Sequence, residues 1–517
     1  MSKAISCGRD LCARQHRFFA PVICVFEGCA RLLLVDREAA VVSESFDYLS
    51  DPVPLATVMY RYVNAAREQH GYDLTATPAS QDEHMFFAQV KSQFPRESYL
   101  YDTFDTAAAP GWPTYKLRIH AQWFEDLEDS SVQRDSAYSV REFLVGRPAY
   151  DPASGAGKCT LGFAAWDVSR QRSVFIKDYW RTSRPDALTE YEVYRRFAEG
   201  DSAVRNIPTV LGGSDVPGSS DIASRRPCAQ GLPPSTTSMI HTRLVIKEIC
   251  RPLGSFRDWH ELTSVMRDAL EVHKAAWEDY GILHCDMSAG SILIYDGEPN
   301  SSSVPIGLLA DWDLAKTHEQ AFIPRALQLP RTGTWQFMSA ALQRFPDKPH
   351  MLSDDLEAVM HVLNWLAVQH MRTNVLSSSD DMTQYLQSYY DTVHPDGKGS
   401  ASRYHRVYLG EPVVPYNNAD RTQPFVELLR RLGGLCRIHY ELVIRPSASG
   451  SSLQSEQLDF TERQKKSILS PSDGTGPSES LYAPLNTHEA FLEAFKQALE
   501  YDRLQWQMPK MRRIYFE

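Results

Sequence analysis

The chain has 517 residues, with 54 Lys and Arg against 65 Asp and Glu for a net charge of −11, and it is 43% hydrophobic and 23% charged. Such a composition excludes a wholly disordered, collagenous or coiled-coil protein, and its acidic balance is the reverse of that of a general nucleic-acid binder, so no nucleic-acid partner is expected. At ~150 residues per domain the length allows roughly three units, enough to bury an enzyme core.

Nine cysteines, an odd number scattered through apolar segments, read as reduced thiols and therefore as an intracellular protein of the cytoplasm or nucleus. Arg9, Asp10, Arg14 and Arg17 occupy the region where a secretory signal would be apolar. The longest apolar stretch, Phe18 to Val35, is broken by Pro21, Glu27 and Arg31, whereas a membrane span needs about 20 apolar residues, so no membrane partner is expected. Cys7 with Cys12 and Cys24 with Cys29 are too loosely spaced for zinc and favour buried structural thiols.

In chain order, alternation predicts a strand meander over Val22–Phe26, Leu32–Val35 and Ala40–Val42, turning at Gly28. A helix follows over about 54–69, stopped by Gly71. Strands are expected at Glu142–Val145, Thr160–Val168 and Ser173–Trp180, then a helix over about 185–199. The Ser-, Pro- and Gly-rich stretch 212–238 reads as a flexible excursion before a strand at Thr242–Ile249. Leu262, Val265, Met266, Ala269, Leu270, His273, Ala276, Trp277 and Tyr280 keep one face of a 3.6-residue repeat, which Gly281 ends as a left-handed cap. Two short strands, Ser291–Tyr295 and Ile306–Ala310, precede a helix at Leu356–Val368 that is apolar nearly all round and should lie in a core. After a second low-complexity stretch, about 446–480, Phe491, Ala494, Phe495, Ala498 and Leu499 form the face of a last amphipathic helix, with Asn486 and Glu489 spaced as a capping box.

Two constellations carry chemistry. Lys177 stands on the apolar strand Val174-Phe175-Ile176, about thirteen residues before Glu190, and Val193, Tyr194 and Phe197 complete a helix rhythm that can present one carboxylate inward. Such a pair can fix a lysine to contact phosphates, although strand-end lysines are more often solvated. His284-Cys285-Asp286, with Ser291 five residues on, leads into the strand pair that ends at Asp311-Trp312-Asp313, so Asp286 and Asp311 should meet at one end of the hairpin. One carboxylate could accept a hydroxyl proton and the other hold a magnesium ion; the bland reading is two turn-capping aspartates.

Arg331-Thr332-Gly333-Thr334-Trp335-Gln336-Phe337-Met338-Ser339-Ala340, followed by Asp354-Asp355-Leu356-Glu357, completes an ordered set of motifs. With Ile176-Lys177-Asp178-Tyr179-Trp180, Arg251-Pro252-Leu253, Ile282-Leu283-His284 and Asp311-Trp312-Asp313-Leu314-Ala315, it resembles the fungal-type protein kinases, over about residues 15 to 370. The resemblance implies an α+β, bilobal protein kinase-like fold with a strand-rich N-lobe, a mainly helical C-lobe and an N-terminal strand-helix extension, binding ATP and Mg2+ between the lobes. The expected map is 1–135 for the extension, 136–250 for the N-lobe, 251–445 for the C-lobe, 446–480 for a linker and 481–517 for the last helix and tail.

By the same resemblance Lys177 is the phosphate-contacting lysine and Glu190 its helix partner, with Glu192 the alternative. Asp286 is the catalytic aspartate, with His284 structural beside it. Asp311 and Ser291 hold metal, and Asp355 steadies the catalytic loop. Glu248 to Cys250 is the adenine hinge, and Gly146 opens the phosphate-covering loop. Thr334 belongs to the substrate segment and favours Ser/Thr acceptors. Four departures stand out: Ser291 in place of asparagine, Cys285 in place of arginine, Ala341 in place of glutamate, and a loop with Gly155 and Gly157 but no G-x-G-x-x-G. Phosphorylation of protein Ser/Thr is therefore the leading expectation. A pseudokinase scaffold is the alternative, and a small-molecule phosphotransferase a third reading; substrate and oligomeric state are not legible.

Overall fold

The computed structural model describes residues 2–36, 40–123, 138–150, 160–183, 188–200, 204–218, 239–298, 303–321, 333–345, 348–371, 379–391, 401–410, 423–443 and 483–506. The expected linker 446–480, most of the 212–238 excursion, Gly155, Gly157, Arg331 and Thr332 lie outside them. The chain divides into two compact units, Met1–Ala187 with Pro208–Ile249 and Leu188–Ile207 with Cys250–Glu517. The first is rich in strands and the second in helices. No helix among the described residues is long and apolar enough to cross a membrane.

The first unit opens with a helix, Ser2–Arg14, that packs on the hairpin of β1 (Phe19–Phe26) and β2 (Cys29–Asp36). Sequence reading found no helix there and shorter strands. The missing signal is Gly8, where a Cβ would lie 2.7 Å from that of Val35, so the helix is set by a long-range contact. Cys12 and Cys24 are buried as expected, but Cys7 is exposed. β3 (Ala40–Val42) and β4 (Phe46–Asp47) both pair with β2.

The next helix, Val53–Val63, is shorter than the 54–69 expected. Asn64 closes it, because its backbone N–H and its side-chain amide both donate to the Tyr60 carbonyl, at 3.2 and 2.8 Å. Gly71, at φ 84°, caps a separate 3-10 turn, Glu68–His70.

Seven antiparallel strands form the main sheet of this unit: β5 (Ala76–Pro78), β6 (Tyr115–Gln122), β7 (Tyr138–Val145), β8 (Leu161–Asp167), β9 (Arg172–Thr182), β10 (Val210–Asp215) and β11 (Met239–Ile246). Their order is β10-β11-β9-β8-β7-β6-β5, so two strands from the 1–135 region join the sheet of the 136–250 region. One core gathers Leu117, Ile119, Trp123, Phe143, Phe163 and Ile176. A second gathers Phe87 and Phe104, from the helices Gln81–Gln89 and Tyr99–Ala107, with Leu144 and Trp166. β10 corrects the reading of 212–238 as flexible from its first residue. Gly212 and Gly213 are strand residues, for Cβ atoms there would lie 2.7 Å from the Trp123 ring and 2.5 Å from Leu244.

A buried ionic network ties this unit together. Arg243 on β11 donates to Asp178 on β9 (2.8 Å), to Asp73 (2.5 Å) and to Thr75 (2.7 Å), and His241 meets the other Asp178 oxygen at 2.6 Å.

In the second unit the helix Trp259–Tyr280 runs from an Asp258 cap to Gly281 at φ 61°, as its repeat and glycine predicted. After the short strand β13 (Ile282–Leu283), β14 (Ile292–Tyr295) pairs with β15 (Ile306–Leu309) and, on its other side, with β12 (Arg251–Pro252). The helix Leu352–His370 is buried almost throughout, as expected. The last helix, Glu489–Leu499, buries Phe491, Ala494, Phe495 and Ala498 against Trp259–Tyr280 and Pro424–Val443. Its N-cap is His488, without a side-chain capping bond, so the Asn486–Glu489 capping box does not form. Glu489 instead pairs with Lys274.

Candidate active site

Within the second unit the residues expected to form the catalytic loop come together. Ile292 lies opposite Leu309 and the Ala310 N–H donates to the Ser291 carbonyl at 2.8 Å, so the start of β14 and the end of β15 sit side by side, just after Asp286 and just before Asp311. The Asp286 carboxylate accepts the backbone N–H of Thr334 at 2.8 Å. Two residues here are not glycine yet hold positive φ: Cys285 at 66° and Asp311 at 65°. Left-handed backbone of this kind costs of order 1–3 kcal/mol each and persists only where the surroundings impose it, which is common at functional sites.

The surroundings that impose it can be named. His284 is fully buried; its Nε2–H donates to the Ala310 carbonyl (2.9 Å) and its Nδ1 accepts the Asp286 N–H (3.2 Å). Burial pushes the imidazole down to about 4, so it is neutral. Asp355 accepts the Cys285 N–H (2.9 Å), His273 Nε2–H (2.9 Å) and His350 Nε2–H (2.7 Å). Burial alone would raise this carboxyl, but His350 and His273 outweigh it and hold it well below the usual carboxylate range.

Ser291 is fully buried and serves the loop itself. Its hydroxyl accepts the Ser288 N–H at 2.9 Å and lies 3.1 Å from the carbonyls of both Asp286 and Ser288. Among the described residues no group of three His, Cys, Asp or Glu side chains converges as a metal cluster.

The segment that supplies Thr334 is held from other helices of the unit. Glu357 accepts the Ala340 N–H (2.8 Å) and the Tyr440 hydroxyl (2.7 Å), and that hydroxyl accepts the Ala341 N–H (3.0 Å). Arg403, almost wholly buried, donates to the carbonyls of Gln336 (2.5 Å) and Met338 (3.2 Å) and lies over the Tyr390 ring at 4.9 Å. Sequence reading missed Arg403, Tyr440, His273 and His350 as supports of the site. Arg403, Tyr440 and His273 reach the Gln336–Met338 carbonyls, the Ala341 N–H and Asp355 from distant helices and so carry no local signal, whereas His350 meets Asp355 from five residues before it.

The helix Glu190–Glu199 also belongs to the second unit, where Phe197 packs edge-on against Trp312 at 5.0 Å. It starts later than expected because Thr189 is its N-cap, in a capping box with Glu192: the Glu192 carboxylate accepts the Thr189 N–H (2.8 Å) while Thr189 Oγ1 accepts the Glu192 N–H (3.2 Å). Glu190 is buried. Glu192→Ala is therefore expected to lower stability by about 1 kcal/mol in a denaturant titration, the usual loss of a cap, without changing nucleotide affinity.

The other expected site residues lie in the first unit, apart from Cys250. Lys177 is buried on β9, opposite Leu244 and Gly162, with Nζ 4.7 Å from the Tyr179 ring centroid. Glu248 directs its carboxylate to the Thr209 N–H (2.8 Å) and hydroxyl (2.7 Å), and burial raises it. The unit boundary falls between Ile249 and Cys250. Gly146 is buried, and a Cβ there would lie 2.0 Å from the Ala107 carbonyl oxygen, so this close approach requires a glycine.

Buried imidazoles of the second unit also fix a pH dependence. His284 and His439 are buried with values pushed down to about 4 by burial, whereas the unfolded chain takes up these protons near ~6.5. Between those values the unfolded state binds more protons, so stability falls as pH falls. Asp355, whose value is depressed, adds a further loss below about 4, the unfolded carboxylate range. The urea midpoint should drop steadily from pH 7 to pH 4; a flat profile would show that these imidazoles are not held neutral.

Comparison with curated proteins returns no match. A family model does match, and it covers the loop, the hairpin and the buried helix that build this site: residues 218–367 are similar to the family described as fungal protein kinase.

Proposed function

We propose that the chain is a protein kinase that transfers the γ-phosphate of ATP to serine or threonine of a protein substrate. The observation that supports this most is the bond from the Thr334 N–H to Asp286, which ties the aspartate read as general base to the segment read as acceptor dock, 48 residues away. Asp286 accepts the proton of the acceptor hydroxyl, and the Thr334 N–H keeps its carboxylate oriented. Asp311 offers a hard oxygen donor of the kind magnesium takes, and Lys177 is the residue to contact the nucleotide phosphates. Bound magnesium would neutralise phosphate charge. Glu190, rather than Glu192, takes the helix carboxylate role, because Glu192 is committed to Thr189.

Ser291 favours a second reading, a scaffold that binds nucleotide or partners without transfer. Its hydroxyl is buried and already engaged by Ser288 and Asp286, so it is a poor metal ligand. The two readings separate when purified protein is given magnesium, labelled ATP and a generic basic protein. Transfer supports the kinase. Binding without transfer, unchanged in Ser291→Asn, supports the scaffold.

A further inference from the structure

The segment 483–506 lies well beyond residue 367, where the family match ends, yet it is built into the same unit as the catalytic loop. Ala483, Leu485, Phe491, Ala494, Phe495 and Ala498 are all buried. An apolar helix of this sort needs no imidazole at its start. His488 is nevertheless fully buried there, and its Nδ1 has no hydrogen-bond partner among the described residues. Leaving a buried polar atom unmatched is costly, so the ring has some other use.

That use is visible on its other nitrogen. His488 Nε2 lies 2.8 Å from His273 Nδ1, His273 Nε2 lies 2.9 Å from Asp355 Oδ2, and the same oxygen accepts the Cys285 N–H at 2.9 Å. The carboxylate can only accept, so His273 must donate through Nε2; with neutral rings His273 then accepts at Nδ1, and His488 is the donor. Burial pushes His488 down to about 2, consistent with a neutral ring. Three bonds thus run from the last helix to the strained residue that precedes Asp286.

We propose that the C-terminal segment is part of the catalytic apparatus, with His488 a positioning residue that fixes the Asp286 loop through His273 and Asp355. The proposal rests on the kinase reading only for its effect on rate. His273 can rotate about its side-chain bonds; the His488 N–H selects its tautomer and ring angle, and Asp355 then grips Cys285 at φ 66°. Without that grip the loop relaxes and Asp286 turns from its working direction.

The test uses the full chain. His488→Phe keeps the ring volume and removes the donor. His488→Gln places an amide N–H near the Nε2 position, whereas the shorter His488→Asn cannot reach His273. Glu489→Gln, which breaks only the surface pair with Lys274, is the control. Readouts are kcat and KM for labelled transfer from ATP to a generic basic protein, amide hydrogen exchange across 282–287, and the melting curve. His488→Phe and His488→Asn should lose about tenfold to a hundredfold in kcat, the scale of a slightly misplaced catalytic group, with KM for ATP unchanged and faster exchange over 282–287. His488→Gln should recover most of both, and Glu489→Gln should match wild type. Should His488→Phe not fold, the contrast between His488→Asn and His488→Gln decides. Wild-type kcat and exchange in a folded His488→Phe or His488→Asn overturn the proposal and leave the kinase reading intact. Faster exchange in these variants of a chain that never transfers phosphate upholds the link and sinks the kinase reading instead.

Discussion

Asp286→Asn is expected to cut phosphoryl transfer by about 10² to 10⁴ while nucleotide binding stays close to wild type. The substitution is nearly isosteric, and the amide oxygen can still accept the Thr334 N–H, so the loop and its segment should keep their places. Only the ability to take up a proton is lost. Asp311→Asn should behave differently, abolishing the magnesium dependence of nucleotide binding, because a metal ligand acts in the ground state as well as during transfer. Isothermal titration with and without magnesium, beside a label-transfer assay, separates the two. If both aspartates merely cap turns, each variant will lose ~1 kcal/mol of stability and scale binding and transfer alike, and the proposed roles are then wrong.

Arg243→Ala should be the most damaging change in the strand-rich unit. It leaves Asp73 and Asp178 buried without their shared cation, at a cost of about 3–5 kcal/mol. Burial works against the guanidinium charge, and the two carboxylates outweigh it, so all three ions depend on one another. Typical domain stability is ~5–15 kcal/mol, so the loss is a large share of the whole. Replacing all three together, as Arg243→Met with Asp73→Leu and Asp178→Leu, should restore most of it, because nothing charged is then left stranded. Denaturant midpoints of the two variants check this; a stable Arg243→Ala would mean that solvent reaches the carboxylates.

What the sequence made legible was local. The Trp259–Tyr280 helix could be read because its apolar spacing and Gly281 cap lie within one stretch, and the paired strands before and after 297–303 because turn residues separate two apolar runs. Asp286 and Asp311 followed from that hairpin. Long-range contacts were not legible. Gly212 and Gly213 look like a loop until Trp123 and Leu244 are seen against them, and nothing near Gly146 in the sequence shows the Ala107 carbonyl that closes on it. The Thr189–Glu192 capping box is present in the sequence and is the signal that separates Glu192 from Glu190. At the last helix the same motif misled, since Asn486 and Glu489 have the spacing but His488 holds the cap position.

Arg403 grips carbonyl oxygens, and every residue type presents the same one. Trp335, Gln336 and Met338 could therefore be exchanged in evolution without removing any bond that Arg403 makes to this stretch, whereas Phe337, whose ring stands against Trp365 at 5.6 Å, could not be changed as freely. A strip of surface moulded by its main chain can alter its chemical character one side chain at a time while keeping its shape. Descendants of this chain could thus vary the polarity and charge of this strip without first passing through an unfolded ancestor.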